Sequence, residues 1–200
     1  MTFHPRIEYA TFHRSQRKLG EPGEPFVYTP ENRARFDEII IRYPPDRKRS
    51  AVLPALYLVQ QQLGYVTATA MRYVAGLLEI TPADVEDVVS FYTMFYRRPV
   101  GTFVLQVCRT LSCAVNGAER LTEELSAALG IKPGETDPAG LFTLLEVECL
   151  GACDRAPVVM VNDAWHECQK PEDAVKLVEA LRKNGEAALT GCVHVVEKRN

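Results

Sequence analysis

No stretch of this 200-residue chain stays apolar for the roughly 18 residues that a bilayer-spanning helix needs, so no direct membrane insertion is expected. The opening MTFHPRIEY lacks the apolar centre of a secretory signal. Arg6, Arg14, Arg17 and Lys18 do not make a transit peptide, because Glu8 interrupts them and no amphipathic run accompanies them. A soluble chain in a reducing compartment, the bacterial cytoplasm, is the expectation. There is no Gly-x-Gly-x-x-Gly and no Walker-type loop, so no nucleotide site of its own is predicted. Basic residues are not gathered on one face: residues 1–50 hold ten Lys/Arg against seven Asp/Glu, and residues 51–200 hold thirteen against nineteen. That distribution argues against nucleic-acid binding. A Cys-x-x-Cys pair at a helix start is absent too, which speaks against disulfide oxidoreductase chemistry.

What is present falls into two patterns. Residues 1–28 carry Pro5, Gly20, Pro22, Gly23 and Pro25 without periodicity and read as an extended arm, ordered on a partner. Residues 29–97 read as a bundle of four short helices. Thr29-Pro30 opens the first, with Phe36, Ile39, Ile40 and Tyr43 on one face and Pro44-Pro45 as its stop. Ser50 is the expected cap of the second, which Gly64 ends. The third spans about 68–78. Thr81-Pro82-Ala83-Asp84 starts the fourth with a cap, an N1 proline and a capping-box acid, and Val85, Val88, Val89, Tyr92 and Phe95 supply its buried side.

From residue 102 the pattern becomes α/β. A strand is expected at about 102–108, a helix at 115–129, a second strand at 141–148 and a third at 157–161. Asn162-Asp163 then turns the chain into a fourth strand around 165–168. Pro171 starts a last helix with Val175, Leu177, Val178 and Leu181 inward, ending near Gly185. A parallel pair followed by an antiparallel hairpin is the order of a thioredoxin-like domain, here 102–184. The tail 185–200 is too short to place. The fold class expected is therefore α/β, a four-helix domain followed by a thioredoxin-like domain.

Two cysteine pairs, Cys108-x4-Cys113 and Cys149-x3-Cys153, follow the first two strands. Parallel neighbours put both pairs at the same sheet end, and four thiolates there make a metal site. In a reducing compartment clustered cysteines bind metal or do redox work more often than they form structural disulfides. Zinc accepts four thiolates in a tetrahedron. A [2Fe–2S] cluster also takes four, two per iron. The plant-type and bacterial ferredoxin spacings are both absent, and His166 precedes Cys168 instead of following a site pair, so a Rieske centre is not indicated. Spacing alone leaves zinc and iron–sulfur open. The loops lean toward iron–sulfur: Arg109-Thr-Leu-Ser112 and Leu150-Gly-Ala152 offer N–H groups and hydroxyls that stabilise a reduced, negative cluster, and Arg109 and Arg155 would add positive charge.

The stretches Ser90-Phe-Tyr-Thr-Met-Phe95, Cys108-Arg-Thr-Leu-Ser-Cys113 and Cys149-Leu-Gly-Ala-Cys153-Asp-Arg-Ala-Pro157 resemble the 24 kDa-type subunit of respiratory complex I, the thioredoxin-like [2Fe–2S] subunit of NADH:quinone oxidoreductase. The resemblance covers about residues 30–183. It implies that Cys108, Cys113, Cys149 and Cys153 ligate one [2Fe–2S] cluster. It also implies that the cluster exchanges one electron with FMN, and that FMN and NADH are bound by a partner flavoprotein subunit. The chain itself would have no substrate site and no catalytic residue. The large iron–sulfur subunit of the same module is a second implied partner. The implied location is the peripheral arm of a membrane complex, on the cytoplasmic side. The same module serves NAD-linked hydrogenases and formate dehydrogenases, and a zinc-stabilised structural module is the alternative from another class.

Some features stand outside that reading. Cys168 and Cys192 are expected as unpaired thiols, against the sharper idea of a disulfide tying the tail back to the Trp165 hairpin. Ala156-Pro157 lies where such domains carry a cis proline. Phe91 and Phe95 are expected to pack between the two domains, and Trp165 in the core.

Overall fold

A computed structural model describes residues 25–189. The chain divides into two compact units, one ending at Pro99 and the other beginning at Val100. Cys192, Val193, Val195, Val196 and most of the N-terminal arm lie outside the described residues.

In the first unit, α1 spans Pro30–Ile40. Thr29 begins it by accepting the Asn32 N–H at 3.2 Å, which satisfies one of the otherwise unpaired first-turn donors. The buried Asn32 side chain donates to the Leu58 carbonyl and to Gln62 Oε1, fastening α1 to α2, Val52–Leu63. A 3-10 segment, Pro45–Ala51, precedes α2, so Ser50 falls inside that segment and the cap position goes to Ala51 without a side-chain bond. Gly64 ends α2 at φ 79°, a left-handed turn that glycine adopts without steric cost. The third helix, α3, is Ala68–Leu78, capped by Thr67. The fourth, α4, is Pro82–Phe91 and carries the complete Thr81–Asp84 capping box. Leu56, Val59, Val74, Leu78, Val85 and Val89 are at most 1–2% exposed and form the centre of one apolar core.

Besides the Ser50 cap, the reading of the aromatic residues changes in this unit. Phe26 and Tyr28, expected in a loose arm, are buried. Tyr28 donates its hydroxyl to the Ala55 carbonyl at 2.7 Å and meets Tyr73 edge to face. Phe95 belongs to the helical unit's own core, while Phe91 is 77% exposed. Helix α4 stops there, because Tyr92 leaves the helix at ψ 107°. The chain then turns Phe95 into the helical core beside Tyr57, while Phe91 stays outside.

In the second unit the order is β1, Phe103–Cys108; α5, Leu111–Val115; α6, Ala118–Leu129; β2, Phe142–Val147; β3, Val159–Val161; β4, Ala164–His166; and α7, Ala174–Asn184. The sheet runs β2-β1-β3-β4, with β1 and β2 parallel and the other pairs antiparallel. Phe103, Leu105 and Val107 alternate onto one face with Phe142, Leu144, Val159 and Val161. They share a core with Leu121, Leu125, Leu177, Val178 and Leu181 of the two longer helices. Each such side chain removed from water contributes about 1.5–3 kcal/mol.

The hairpin turns at Asn162, φ 52°. Its side chain accepts the Val104 N–H and donates to the Thr102 carbonyl, so the turn residue also fixes the start of β1. The Ala156–Pro157 peptide is cis, as expected. Three details depart from the sequence reading. The helix expected at 115–129 is α6, which starts at Ala118 after Gly117 at φ 96°, and the short α5 ahead of it was not expected. Pro171 starts a 3-10 turn instead of the α-helix, and Val175, expected inward, is 49% exposed while Ala174 is buried. The segment after Gly185 is placed: Ala188 and Leu189 lie against the core.

Candidate metal centre

Parallel pairing of β1 and β2 sets Cys108 opposite Val147, the residue two before Cys149. Both thiol-bearing loops therefore leave the sheet at one end. The loop after β1 is held there by the Arg109 N–H, which donates to the Val147 carbonyl at 3.0 Å. It passes directly into α5, whose single turn carries Cys113. The loop after β2 reverses at Gly151, φ 82°, and enters the 3-10 turn Cys153–Arg155. The four sequence-predicted cysteines thus arrive together, and all are free thiols.

They arrive as two pairs of different character. Cys108 and Cys113 are each 2% exposed and in mutual hydrogen-bonding contact. Cys149 and Cys153 are exposed, with their sulfurs 3.6 Å apart. Donors surround both pairs. The Thr110 hydroxyl lies 3.2 Å from Cys108 Sγ and also bonds Cys149. The Gly151 N–H donates to Cys149 Sγ at 3.4 Å, and Ser112 bonds Cys153. The N–H groups of Thr110 and Leu150 serve Cys108, and that of Val158 serves Cys113.

These contacts shape the acidity of the metal-free thiols. Burial pushes Cys108 up, but the hydrogen bonds from Thr110, Leu150 and Cys113 outweigh it and leave the group below its ordinary value. Burial, with the contact to Cys108, pushes Cys113 up to about 11. The Gly151 N–H holds Cys149 below the usual thiol value, and the bond with Cys149 raises Cys153. Each pair therefore contains one thiol inclined to ionise and one inclined to keep its proton. That is the pattern of four thiols competing to carry negative charge in a small volume.

The donor set fits a binuclear thiolate-bound group. Among the described residues, no three His, Cys, Asp or Glu side chains are grouped closely enough to enclose one ion. The sulfurs come as two close pairs, and a binuclear iron–sulfur cluster takes two thiolates per iron. The hydroxyl and N–H donors predicted around the sulfurs are there. The positive charge is largely offset: Arg109 is paired with Glu148 at 2.7 Å, and Arg155 has Asp154 at 3.6 Å. Sequence reasoning missed α5 and the Val158 donor, which reaches the site from β3's leading edge. His166 sits opposite Val159 on β4, and burial holds its pKa below the usual histidine value.

Two close thiol pairs at the end of a parallel strand pair, on a sheet completed by an antiparallel hairpin, make a thioredoxin-like fold with a four-cysteine cluster at one sheet end. The family model for the thioredoxin-like [2Fe-2S] ferredoxin matches residues 36–182, and the chain belongs to that family. Its relatives within it are components of an oxidoreductase complex. The chain is 45% identical over 172 residues to an NADH-quinone oxidoreductase subunit of Mycobacterium tuberculosis, covering 84% of this chain and 68% of that one. It is 43% identical over 148 residues to NADH-quinone oxidoreductase subunit 2 of Thermus thermophilus, covering 74% and 82%. Among solved structures, an NAD+-reducing [NiFe]-hydrogenase superposes with a TM-score of 0.59 at 21% identity over 67% of this chain and 23% of that one, a likeness of fold. No helix among the described residues is long and apolar enough to cross a membrane.

Proposed function

We propose that this chain is the electron-carrying subunit of an NADH:quinone oxidoreductase, with Cys108, Cys113, Cys149 and Cys153 holding one [2Fe–2S] cluster. The observation that carries the reading is the convergence of two thiol pairs, one buried and one exposed, inside a ring of N–H and O–H donors. When bound, the cluster supplies one-electron transfer with the FMN of a partner flavoprotein subunit that binds NADH. The relatives' names supply the host complex, and the missing Gly-x-Gly-x-x-Gly loop in this chain is consistent with nucleotide binding by that partner.

This chain's own residues have three tasks. Cys108 and Cys113, buried at the sheet end, exclude water from one side of the site. Thr110, Ser112 and the N–H groups of Leu150, Gly151 and Val158 donate to sulfur and favour added negative charge. The exposed Cys149–Cys153 side is the side open to an electron partner. The large iron–sulfur subunit is the second neighbour in this proposal. The place of the chain is the peripheral arm on the cytoplasmic side of the membrane.

The test is the visible absorption and electron paramagnetic resonance of the chain purified without oxygen, before and after dithionite. The expected result is a brown protein with about two irons and two sulfides per chain and a reduced S = 1/2 signal. A colourless, zinc-containing protein after iron-replete anaerobic expression would remove electron transfer from the account.

A further inference from the structure

The four thiols differ in access, and that difference has chemical consequences whenever the site is empty. Cys149 and Cys153 are exposed with sulfurs 3.6 Å apart. A disulfide needs about 2.05 Å, so the sulfurs must close by only about 1.5 Å. The loop between them can supply that movement. Gly151 is exposed, stands at φ 82° and has no atom within 4 Å of the position a Cβ would take. Cys108 and Cys113 are as close in kind, in hydrogen-bonding contact, but each is 2% exposed and flanked by β1 and the buried Val158. An oxidant in solution reaches the first pair and not the second.

Resting on the reading of these cysteines as cluster ligands, we propose that Cys149–Cys153 is a reversible redox modification site of the cluster-free chain, closing as a disulfide that blocks cluster insertion until a thiol reductant reopens it. The co-reactant is a small-molecule disulfide of the glutathione type. The thiolate of one cysteine attacks a sulfur of that disulfide and forms a mixed disulfide, and one small thiol leaves. The sulfur of the second cysteine then displaces the other small thiol. Two protein thiols are oxidised by two electrons, one small disulfide is reduced to two thiols, and the two protons pass to the departing thiols. The closed pair cannot offer two thiolates, so half of the ligand set is withdrawn. The buried pair stays reduced, and cleavage of one accessible bond restores the site.

The test uses the full chain. Cluster is first formed from ferrous iron and sulfide under anaerobic conditions and recorded by visible absorption, then removed with a chelator. The cluster-free chain is exposed to glutathione disulfide, its remaining thiols are alkylated, and the digested peptides are weighed. The expected product is a peptide joining Cys149 to Cys153 that has lost the mass of two hydrogens, formed at least about tenfold faster than any bond involving Cys108 or Cys113. Reconstitution then fails, and returns after dithiothreitol. In Cys153→Ser the glutathione adduct remains on Cys149 because no second sulfur displaces it, and far-ultraviolet circular dichroism shows the fold retained. A Cys108–Cys113 bond forming first, a bond across the pairs, or unimpeded reconstitution of the oxidised chain would each overturn the proposal. If no cluster forms in the initial step, the ligand reading fails instead, and the peptide masses still report on the disulfide.

Discussion

Gly101 lies so close to Phe142 that a Cβ on it would stand 2.6 Å from the Phe142 carbonyl carbon and 2.7 Å from its nitrogen. The contact is backbone against backbone, where the chain enters β1 beside the first residue of β2. The Gly101 N–H also donates to Thr143 Oγ1 at 2.6 Å, so the residue cannot retreat without losing that bond. Gly101→Ala is therefore expected to push β1 and β2 apart and destabilise the second unit by about 1–3 kcal/mol, the usual cost of overpacking. Chemical denaturation followed by the circular dichroism of the full chain checks it; an unchanged midpoint would show that the strand entry yields freely.

The Thr81–Asp84 capping box gives a pH-dependent contribution whose sign follows from the structure. The Thr81 hydroxyl and N–H, with Arg49 at 3.0 Å, hold the Asp84 carboxyl below its ordinary value. A depressed folded value means that the stabilisation is complete above the unfolded carboxyl's range, about pH 4, and is lost as pH falls through the lower folded value. Thermal melts between pH 6 and 3 should show Asp84→Asn losing less stability on acidification than the unmodified chain. Thr81→Ala removes the cap at both ends of that range and costs about 1 kcal/mol.

Those caps were legible in the sequence because they are local. Thr29-Pro30 and Thr81 to Asp84 each satisfy their own nearby backbone groups, and the structure keeps both; Asn162-Asp163 was legible as a turn, although the Asn162 side chain bonds the distant start of β1. The parallel pair, the antiparallel hairpin and the placing of both cysteine loops at one sheet end were legible for a related reason, since a parallel pair fixes which ends coincide. What was not legible depended on longer-range geometry or on atoms that carry no side-chain signature. Helix α5 is a single turn, too short for periodicity to reveal. Phe91 and Phe95 read alike as aromatics, yet the end of α4 sends one out and the other in. Val175 lies off the buried stripe because the helical period through Leu177, Val178 and Leu181 carries Ala174 inward and Val175 outward. The Val158 donor to Cys113 is a backbone N–H delivered by tertiary structure, so no residue type announced it.

Thr110 is the side chain that serves both pairs, lying 3.2 Å from Cys108 Sγ and bonding Cys149. Hydrogen bonds to sulfur favour the more negative, reduced state. Thr110→Val keeps the shape and removes the donor, so the potential of the bound cluster is expected to fall. A hydrogen bond to a charged group contributes about 1.5–3 kcal/mol in full and less where the charge is spread over four sulfurs, so a shift on the order of 50 mV is expected. Thr110→Ser should recover most of it. A redox titration monitored by electron paramagnetic resonance makes the measurement, and equal potentials for Val and Ser would show that the hydroxyl does not act on the cluster.

The ligand assignment is tested most cleanly on the exposed pair. Cys108 and Cys113 are buried in the core, so replacing either disturbs packing as well as the site. Cys149 and Cys153 are exposed, and their loss removes a thiolate with little effect on the fold. Cys168 is also exposed and serves as the control, since its backbone N–H bonds the Arg155 carbonyl at 2.8 Å whatever its side chain. Cys149→Ala and Cys153→Ala are expected to lose the visible spectrum and the reduced signal while keeping their circular dichroism. Cys168→Ala, which keeps the φ of 52° required there at some cost in strain, is expected to retain both. Iron and sulfide analysis of the three proteins decides the matter. A full cluster in Cys153→Ala with loss in Cys168→Ala would move the fourth ligand from the 3-10 turn after β2 to the segment after β4.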